Sequence, residues 1–226
     1  MIEEPALASS AAGRLRALLE SRRRRAATER CEFCGAEIAP EHGHIVNVAQ
    51  RALLCVCRPC YLLFTQDGAG GARFRAVPTR YVELPPSTLS GSEWDALQLP
   101  VGVAFFFFNS LRGTVTAFYP SPAGATESEL PLESWEPLAQ AWPALATMAP
   151  DVEALLVRRS TSSPGSPMPE AVDRDGAFLV PIDACYELVG TIRREWRGFQ
   201  GGDAAWSAVD AFFARVRELA ATAGGR

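Results

Sequence analysis

Two Cys-x-x-Cys motifs constrain this chain more than any other feature of its sequence. The first is Cys31-Glu-Phe-Cys34, which Gly35 follows, and the second is Cys57-Arg-Pro-Cys60. Thiolates at positions i and i+3 of a tight turn converge on one ion, so two such knuckles supply four ligands. The sequence therefore predicts a small ribbon in which Cys31, Cys34, Cys57 and Cys60 surround a single metal ion.

The segment between the two knuckles predicts a β-hairpin. His44 to Val48 and Arg51 to Val56 are short β-prone runs joined by Ala49-Gln50. Such a hairpin returns the second knuckle to the first, which is the layout of a zinc ribbon. A ribbon of this size has few apolar residues, so it needs the metal, whose binding supplies about 10 to 16 kcal/mol that is also folding energy.

The four thiolates leave the identity of the ion open. They suit zinc, and they equally suit a single iron of the rubredoxin type. Rubredoxin knuckles usually carry glycine after each second cysteine, whereas Tyr61 follows Cys60 here. This difference favours Zn²⁺ over Fe. An iron-sulfur cluster bound by four of the five clustered cysteines is a third alternative.

Three further side chains near the knuckles are candidate ligands or redox groups. Cys55 lies two residues before Cys57, so on a strand both thiols point to the same face. Cys55 is then either a small residue covering the hairpin or a reactive or exchanging thiol beside the metal. His42 and His44, the only histidines in the sequence, could provide a replacement ligand or a second transition-metal site. Alternatively, they form a turn with one imidazole packed beside a knuckle.

The residue types after the ribbon argue against catalysis. The sequence contains no lysine, and it has no histidine beyond His44. A Ser-His, Cys-His or lysine-dependent mechanism therefore has no base or nucleophile in the larger part of the chain. Cys185 lies on the apolar stripe of a predicted helix and is expected to be an inert core residue. We therefore expect a protein that is not an enzyme.

The rest of the chain predicts an α+β fold. Alternating patterns indicate a mostly antiparallel sheet of about five strands packed with helices. The expected strands are Phe74 to Leu84, interrupted by Pro78, then Val101 to Asn109, Thr114 to Tyr119, Asp151 to Arg159 and Ala177 to Val180. The rings of Phe105 to Phe108 would have to be covered on both faces of this sheet. Residues 1–29 are expected to form an N-terminal helix or arm, residues 30–66 the four-cysteine ribbon and residues 72–222 the α+β domain.

Two segments are candidates for contacts beyond their own element. Tyr61 to Phe64 is expected to pack its apolar side chains against the larger domain. Tyr119 to Ser128 is expected to join a strand to a helix, and it combines prolines with hydroxyl groups. This segment either forms a surface that binds a partner protein or serves only as the connection between the strand and the helix. The side chains that would make this docking surface are Tyr119, Ser121, Thr126 and Glu127.

Charge and hydropathy limit the partners of the chain. A net charge of −4 gives no general attraction to nucleic acid or anionic lipid. Arg22 to Arg25 leave a nucleic-acid-binding zinc ribbon as a second alternative, although the acidic residues that flank this run argue against it. The apolar run Val101 to Phe108 is far shorter than the roughly 20 residues of a membrane helix, and the first residues do not resemble a secretion signal. We expect a cytoplasmic protein without membrane insertion, where clustered cysteines more often bind metal than form disulfides.

Six segments together carry a resemblance to a known family: Cys31–Gly35, Glu41–His44, Cys55–Cys60, Leu99–Phe105, Phe118–Ser128 and Val180–Tyr186. They resemble an uncharacterised bacterial family of unknown function whose genes are associated with nickel-iron (NiFe) hydrogenase operons. The resemblance covers residues 30–218. It implies a hydrogenase accessory role, with a hydrogenase subunit or maturation protein as the partner. The family has no assigned activity to carry over.

Overall fold

A computed structural model describes residues 29–66, 68–86, 92, 102–121, 124–129, 132–159, 176–197 and 202–224. Helices and antiparallel sheets make up this part of the chain, so the predicted α+β class is confirmed. The predicted N-terminal helix and Arg22 to Arg25 lie outside the described residues. So do most of a short helix expected after Ser92 and a Pro/Ser-rich loop expected at residues 160–169. The division into three units remains a prediction.

The ribbon contains a three-stranded sheet. Strands β1 (Gly43–Asn47) and β2 (Ala52–Val56) form the expected antiparallel hairpin, and β3 (Phe74–Ala76) pairs with the other side of β1. Helix α1 (Arg58–Leu62) follows β2 directly and carries the second knuckle. Ile45, Val56 and Phe64 form a small core together with two of the cysteines.

The larger sheet has six strands among the described residues, where the sequence predicts about five. The strands are β4 (Val82–Glu83), β5 (Val103–Asn109), β6 (Thr114–Ser121), β7 (Gly124–Glu129), β8 (Glu153–Arg158) and β9 (Gly176–Pro181). Their spatial order is β4-β9-β8-β5-β6-β7, and every neighbouring pair is antiparallel. The helices are α2 (Leu132–Ala141), α3 (Ile182–Glu195) and α4 (Gly202–Gly224).

Strand β5 lies in the interior of the sheet, and its phenylalanines are covered on both faces as the sequence predicts. Phe105 and Phe107 belong to the core that α3 and α4 complete. Phe106 and Phe108 face the opposite core, which contains Leu138 of α2 and other apolar side chains. This alternation follows from the two-residue period of a strand.

The ribbon packs on the α3 side of the sheet. Val46, Val48 and Val77 belong to the same core cluster as the α3 and α4 side chains. Arg80 crosses from the segment after β3 to the buried carboxylate of Glu153 on β8. The ribbon is therefore joined to the larger sheet by apolar and polar contacts.

Three sequence-based expectations about local structure are wrong. Phe74 to Leu84 is not one interrupted strand, because β3 joins the ribbon sheet and β4 joins the larger sheet. Tyr119 to Ser128 does not lead from a strand into a helix, because it belongs to the β6–β7 hairpin. In Tyr61 to Phe64, the side chains of Leu62 and Leu63 are exposed and Phe64 packs inside the ribbon.

Among the described residues, no helix combines the length and the apolar character that crossing a membrane requires.

Candidate metal centre

The two knuckles bring four thiols together. The Sγ atoms of Cys31, Cys34, Cys57 and Cys60 all lie within 4.8 Å of one another. The sulfurs of Cys34 and Cys57 are in hydrogen-bond contact at 3.6 Å. All four are free thiols rather than disulfides. This arrangement of four soft donors from two tight turns fits a single tetrahedral ion.

The first knuckle is shaped by backbone hydrogen bonds. The N–H of Gly35 donates to the carbonyl of Cys31 at 2.8 Å, and the N–H of Cys31 donates to Ala36 at 2.7 Å. Gly35 has a φ of +78°, in the left-handed region that favours glycine. The N–H of Cys34 points at the Cys31 sulfur at 3.4 Å. A ligand sulfur that accepts an N–H bond is stabilised as the thiolate.

The second knuckle is built on a helix start. Cys57 is the N-cap of α1, and a proline follows in the first turn, where its fixed φ suits helix initiation. The N–H of Tyr61 donates to the carbonyl of Cys57 at 2.9 Å. This turn places Cys60 inside the ribbon core beside Val56.

The surroundings of Cys31 favour its thiolate form, because they lower the pKa of its thiol. Its burial opposes ionisation, but N–H groups of Cys57, Cys34 and Phe33 outweigh this and lower its pKa from 9.0 to about 6. The pKa of Cys60 is instead raised, by burial and by its hydrogen bonds with the neighbouring thiols. The site therefore holds one favoured thiolate and at least one thiol that a metal must deprotonate.

The thiol of Cys34 also has a raised pKa. A hydrogen bond from the N–H of Ala36 lowers this pKa. Hydrogen bonds with the Cys31 and Cys57 thiols raise it, and the net change is upward.

The centre is asymmetric in its exposure. Cys31 and Cys60 are buried, whereas Cys34 is exposed and Cys57 is half-buried. Phe33, between the first two cysteines, packs edge-on against Phe64 at 5.3 Å between ring centroids and still leaves 45% of its surface exposed. One side of the centre therefore lies at the protein surface.

Cys55 groups with the two histidines. The sequence suggests that Cys55 crowds the four-cysteine site, but the structure places its sulfur within 4.8 Å of ligand atoms of His42 and His44. The pKa of Cys55 is raised by burial first and then by the carboxylates of Glu32 and Glu29.

Residues that sequence reasoning missed surround this second group. Asp183 bonds to His44 at 2.8 Å, and Glu32 accepts the N–H of Cys55 at 2.6 Å. Asp183 lies at the start of α3, directly after β9. It is 139 residues from His44 in the sequence, so no local pattern could have indicated their contact. Glu32 lies between Cys31 and Cys34 of the first knuckle. This position beside two candidate ligands was the sequence signal that could have indicated its contact with Cys55.

The predicted partner-binding side chains lie on the β6–β7 hairpin. Tyr119 is opposite Thr126 in the ladder, and the Thr126 hydroxyl donates to Ser121 at 3.1 Å. Glu127 accepts from Arg51 at 3.2 Å and from Arg112 at 3.3 Å. All four therefore take part in contacts within the chain, and their role toward a partner remains a prediction.

Cys185 is fully buried in the α3 core, and burial raises its pKa well above that of a free thiol. It belongs to neither group of candidate ligands.

The model of one protein family, described as "Family of unknown function (DUF5947)", matches residues 30–220. No curated protein matches, and no solved structure matches.

Proposed function

The chain belongs to the DUF5947 family of unknown function, and on that premise we propose that it is a non-enzymatic accessory protein of a nickel-iron hydrogenase with a structural zinc site. The hydrogenase part of this proposal is supported by the family resemblance of the sequence segments quoted above. The zinc part is supported by one observation: four thiols from two knuckles lie within 4.8 Å of one another.

A structural role for the ion follows from what holds the ribbon together. The described ribbon core is small, and Cys31 and Cys60 are themselves part of it. Four protein ligands leave no open position on a tetrahedral ion, which is the pattern of structural rather than catalytic zinc. The zinc would replace the apolar core that a domain of this size lacks.

The ribbon also has an exposed apolar surface suited to docking. Leu62 and Leu63, directly after the second knuckle, are 50% and 61% exposed, and Phe33 of the first knuckle is 45% exposed. Leu62 and Leu63 are neighbours in sequence, and adjacent exposed apolar residues are typical of protein contact sites. We assign this surface, together with the β6–β7 hairpin, to contact with a hydrogenase subunit or maturation protein.

Co-purification from a hydrogen-metabolising host tests the proposal. Tagged chain should recover hydrogenase subunits or maturation proteins, identified by mass spectrometry. A Leu62→Ser, Leu63→Ser double variant should lose them. Leu111→Ser is the matched control, because Leu111 is 64% exposed on the turn between β5 and β6. Recovery of no hydrogenase component by the wild-type chain contradicts the proposed role.

A rubredoxin-like iron site is the second candidate, and the exposure of Cys34 favours it. A surface-exposed ligand sulfur gives electrons a short path to a redox partner, which structural zinc does not require. Chain purified without oxygen would then contain one iron and show thiolate-to-iron charge-transfer absorption. Colourless protein with zinc eliminates this candidate.

A further inference from the structure

A second group of ligand atoms lies on the ribbon hairpin. One ligand atom from each of His42, His44 and Cys55 falls within 4.8 Å of the others. His44 on β1 and Cys55 on β2 are directly opposite in the antiparallel ladder, and the two imidazole centroids are 4.9 Å apart. Directly opposite strand residues have neighbouring side chains, so the hairpin itself holds two of the three ligands together.

His42 has a buried nitrogen without a partner. Its Nδ1 lies 2.9 Å from the carbonyl of Ala39, which can only accept, so Nδ1 carries the proton. Nε2 then has a lone pair, and it is buried with no hydrogen-bond partner among the described residues. The side chain is only 9% exposed. A buried acceptor without a donor is costly, and a metal ion would satisfy it.

His44 is oriented by a carboxylate. Its Nδ1 lies 2.8 Å from the Asp183 carboxylate, so Nδ1–H donates there and leaves the Nε2 lone pair for a ligand. A histidine that binds metal commonly donates its other N–H to a carboxylate, which fixes the tautomer and makes the ring more basic. His44 and Asp183 have this arrangement.

Cys55 is held by the first knuckle. Its N–H donates to the Glu32 carboxylate at 2.6 Å, and its carbonyl accepts the Glu32 N–H at 2.9 Å. Glu29 approaches His42 Nδ1 at 3.6 Å. Each of the three candidate ligands therefore has a carboxylate nearby. This concentration of negative charge favours a bound cation.

From these contacts we propose that His42, His44 and Cys55 form a second mononuclear site for a divalent first-row transition metal such as zinc. Two imidazoles and one thiolate are donors that suit such an ion. Three protein ligands leave one position for water or an exogenous ligand, unlike the closed four-cysteine centre. The second site is thus able to exchange a ligand, whereas the first is structural.

Titration of the full-length, metal-free chain with Co²⁺ and Zn²⁺ tests the second site. We expect two equivalents to bind. Because the second site offers one thiolate instead of four, the sulfur-to-cobalt charge-transfer absorption of the second Co²⁺ should be about one quarter that of the first. His42→Gln, His44→Gln and Cys55→Ser should each keep the first equivalent and lose the second.

Asp183→Asn separates positioning from ligation, because Asp183 bonds to His44 and is not one of the three proposed ligands. This variant should keep both equivalents and weaken the second by about 10- to 100-fold. Saturation of the wild-type chain at one equivalent overturns the proposal, as does a second equivalent unchanged in His44→Gln and Cys55→Ser. If a variant also loses the first equivalent, X-ray absorption of the wild-type chain decides: nitrogen ligation on the second Co²⁺ supports the site, and sulfur-only ligation overturns it.

Discussion

The imidazole of His44 and the carboxylate of Asp183 meet at 2.8 Å across 139 residues of sequence. His44 lies on the ribbon hairpin, and Asp183 lies in the first turn of α3, where a negative charge also suits the helix dipole. The other carboxylate oxygen of Asp183 accepts the N–H of Ala184 at 2.9 Å. One side chain therefore contacts the first turn of a helix that packs on the larger sheet and also orients a residue of the ribbon.

A double-mutant cycle should detect this link. We expect His44→Gln and Asp183→Asn to be non-additive by about 1 kcal/mol, because the second substitution has no bond left to remove. Urea unfolding of protein carrying one equivalent of zinc measures the free energies. Strict additivity of the two losses would show that the contact contributes nothing to stability.

Removal of the metal should loosen the ribbon before the larger sheet. The ribbon core includes Cys31 and Cys60, whereas all five tryptophans lie outside residues 30–66. After chelation, amide hydrogen exchange in β1 and β2 should speed up by orders of magnitude, and tryptophan near-ultraviolet circular dichroism should persist. Unchanged exchange in the hairpin would contradict a structural role for the ion.

Local patterns were sufficient to predict the ribbon hairpin and the covering of Phe105 to Phe108 on both faces of the sheet. Both follow from short-range rules: two runs of β-formers between knuckles, and side chains that alternate across a strand. The convergence of four thiols also follows, because each knuckle needs only neighbouring residues. Sequence reasoning succeeded where one turn or one strand decides the outcome.

Two of the failures share a physical cause, which is the choice of a distant partner. Pro78 predicts an interruption, but only tertiary pairing decides that β3 joins the ribbon sheet and β4 pairs with β9. The β6–β7 hairpin is different, because its partners are close in sequence: Pro120 argues against a strand, yet this residue pairs opposite Ala125. The contact of His44 with Asp183 depends on how two sheets pack, which no local pattern encodes.

Metal binding should release protons and strengthen as the pH rises. The raised pKa values of Cys34 and Cys60 keep both thiols protonated near neutral pH, and a metal must displace these protons. Cys31, with a pKa of about 6, adds a further loss of affinity only below that pH. Competition with a chelator from pH 5.5 to 8.5 measures the trend. An affinity independent of pH would contradict these protonation states.

Gly43→Ala should destabilise the ribbon although its backbone conformation is ordinary. An added Cβ would lie 2.6 Å from Cδ2 of Tyr61, whose hydroxyl is fixed by a bond to the Val77 carbonyl at 2.9 Å. We expect a loss of about 1 to 3 kcal/mol from overpacking, measured by urea unfolding.

Gly190→Ala is the matched control for this substitution. Its Cβ meets nothing within 4 Å, and alanine is the better helix former, so stability should stay equal or rise. If Gly43→Ala also proves neutral, the Tyr61 ring is free to move and the contact is not a constraint.

Arg80→Met should destabilise the protein by about 3 kcal/mol, because it leaves the Glu153 carboxylate buried without its counter-charge. Arg80 binds that carboxylate through two hydrogen bonds of 2.8 and 2.7 Å, and the Glu153 side chain is only 2% exposed. Arg215→Met is the control, since its ion pair with Glu187 is about half exposed and should contribute about 1 kcal/mol or less. In the double variant Arg80→Met, Glu153→Met, part of the loss should be recovered because no unpaired charge remains. Equal losses for Arg80→Met and Arg215→Met in urea unfolding would mean that water reaches Glu153.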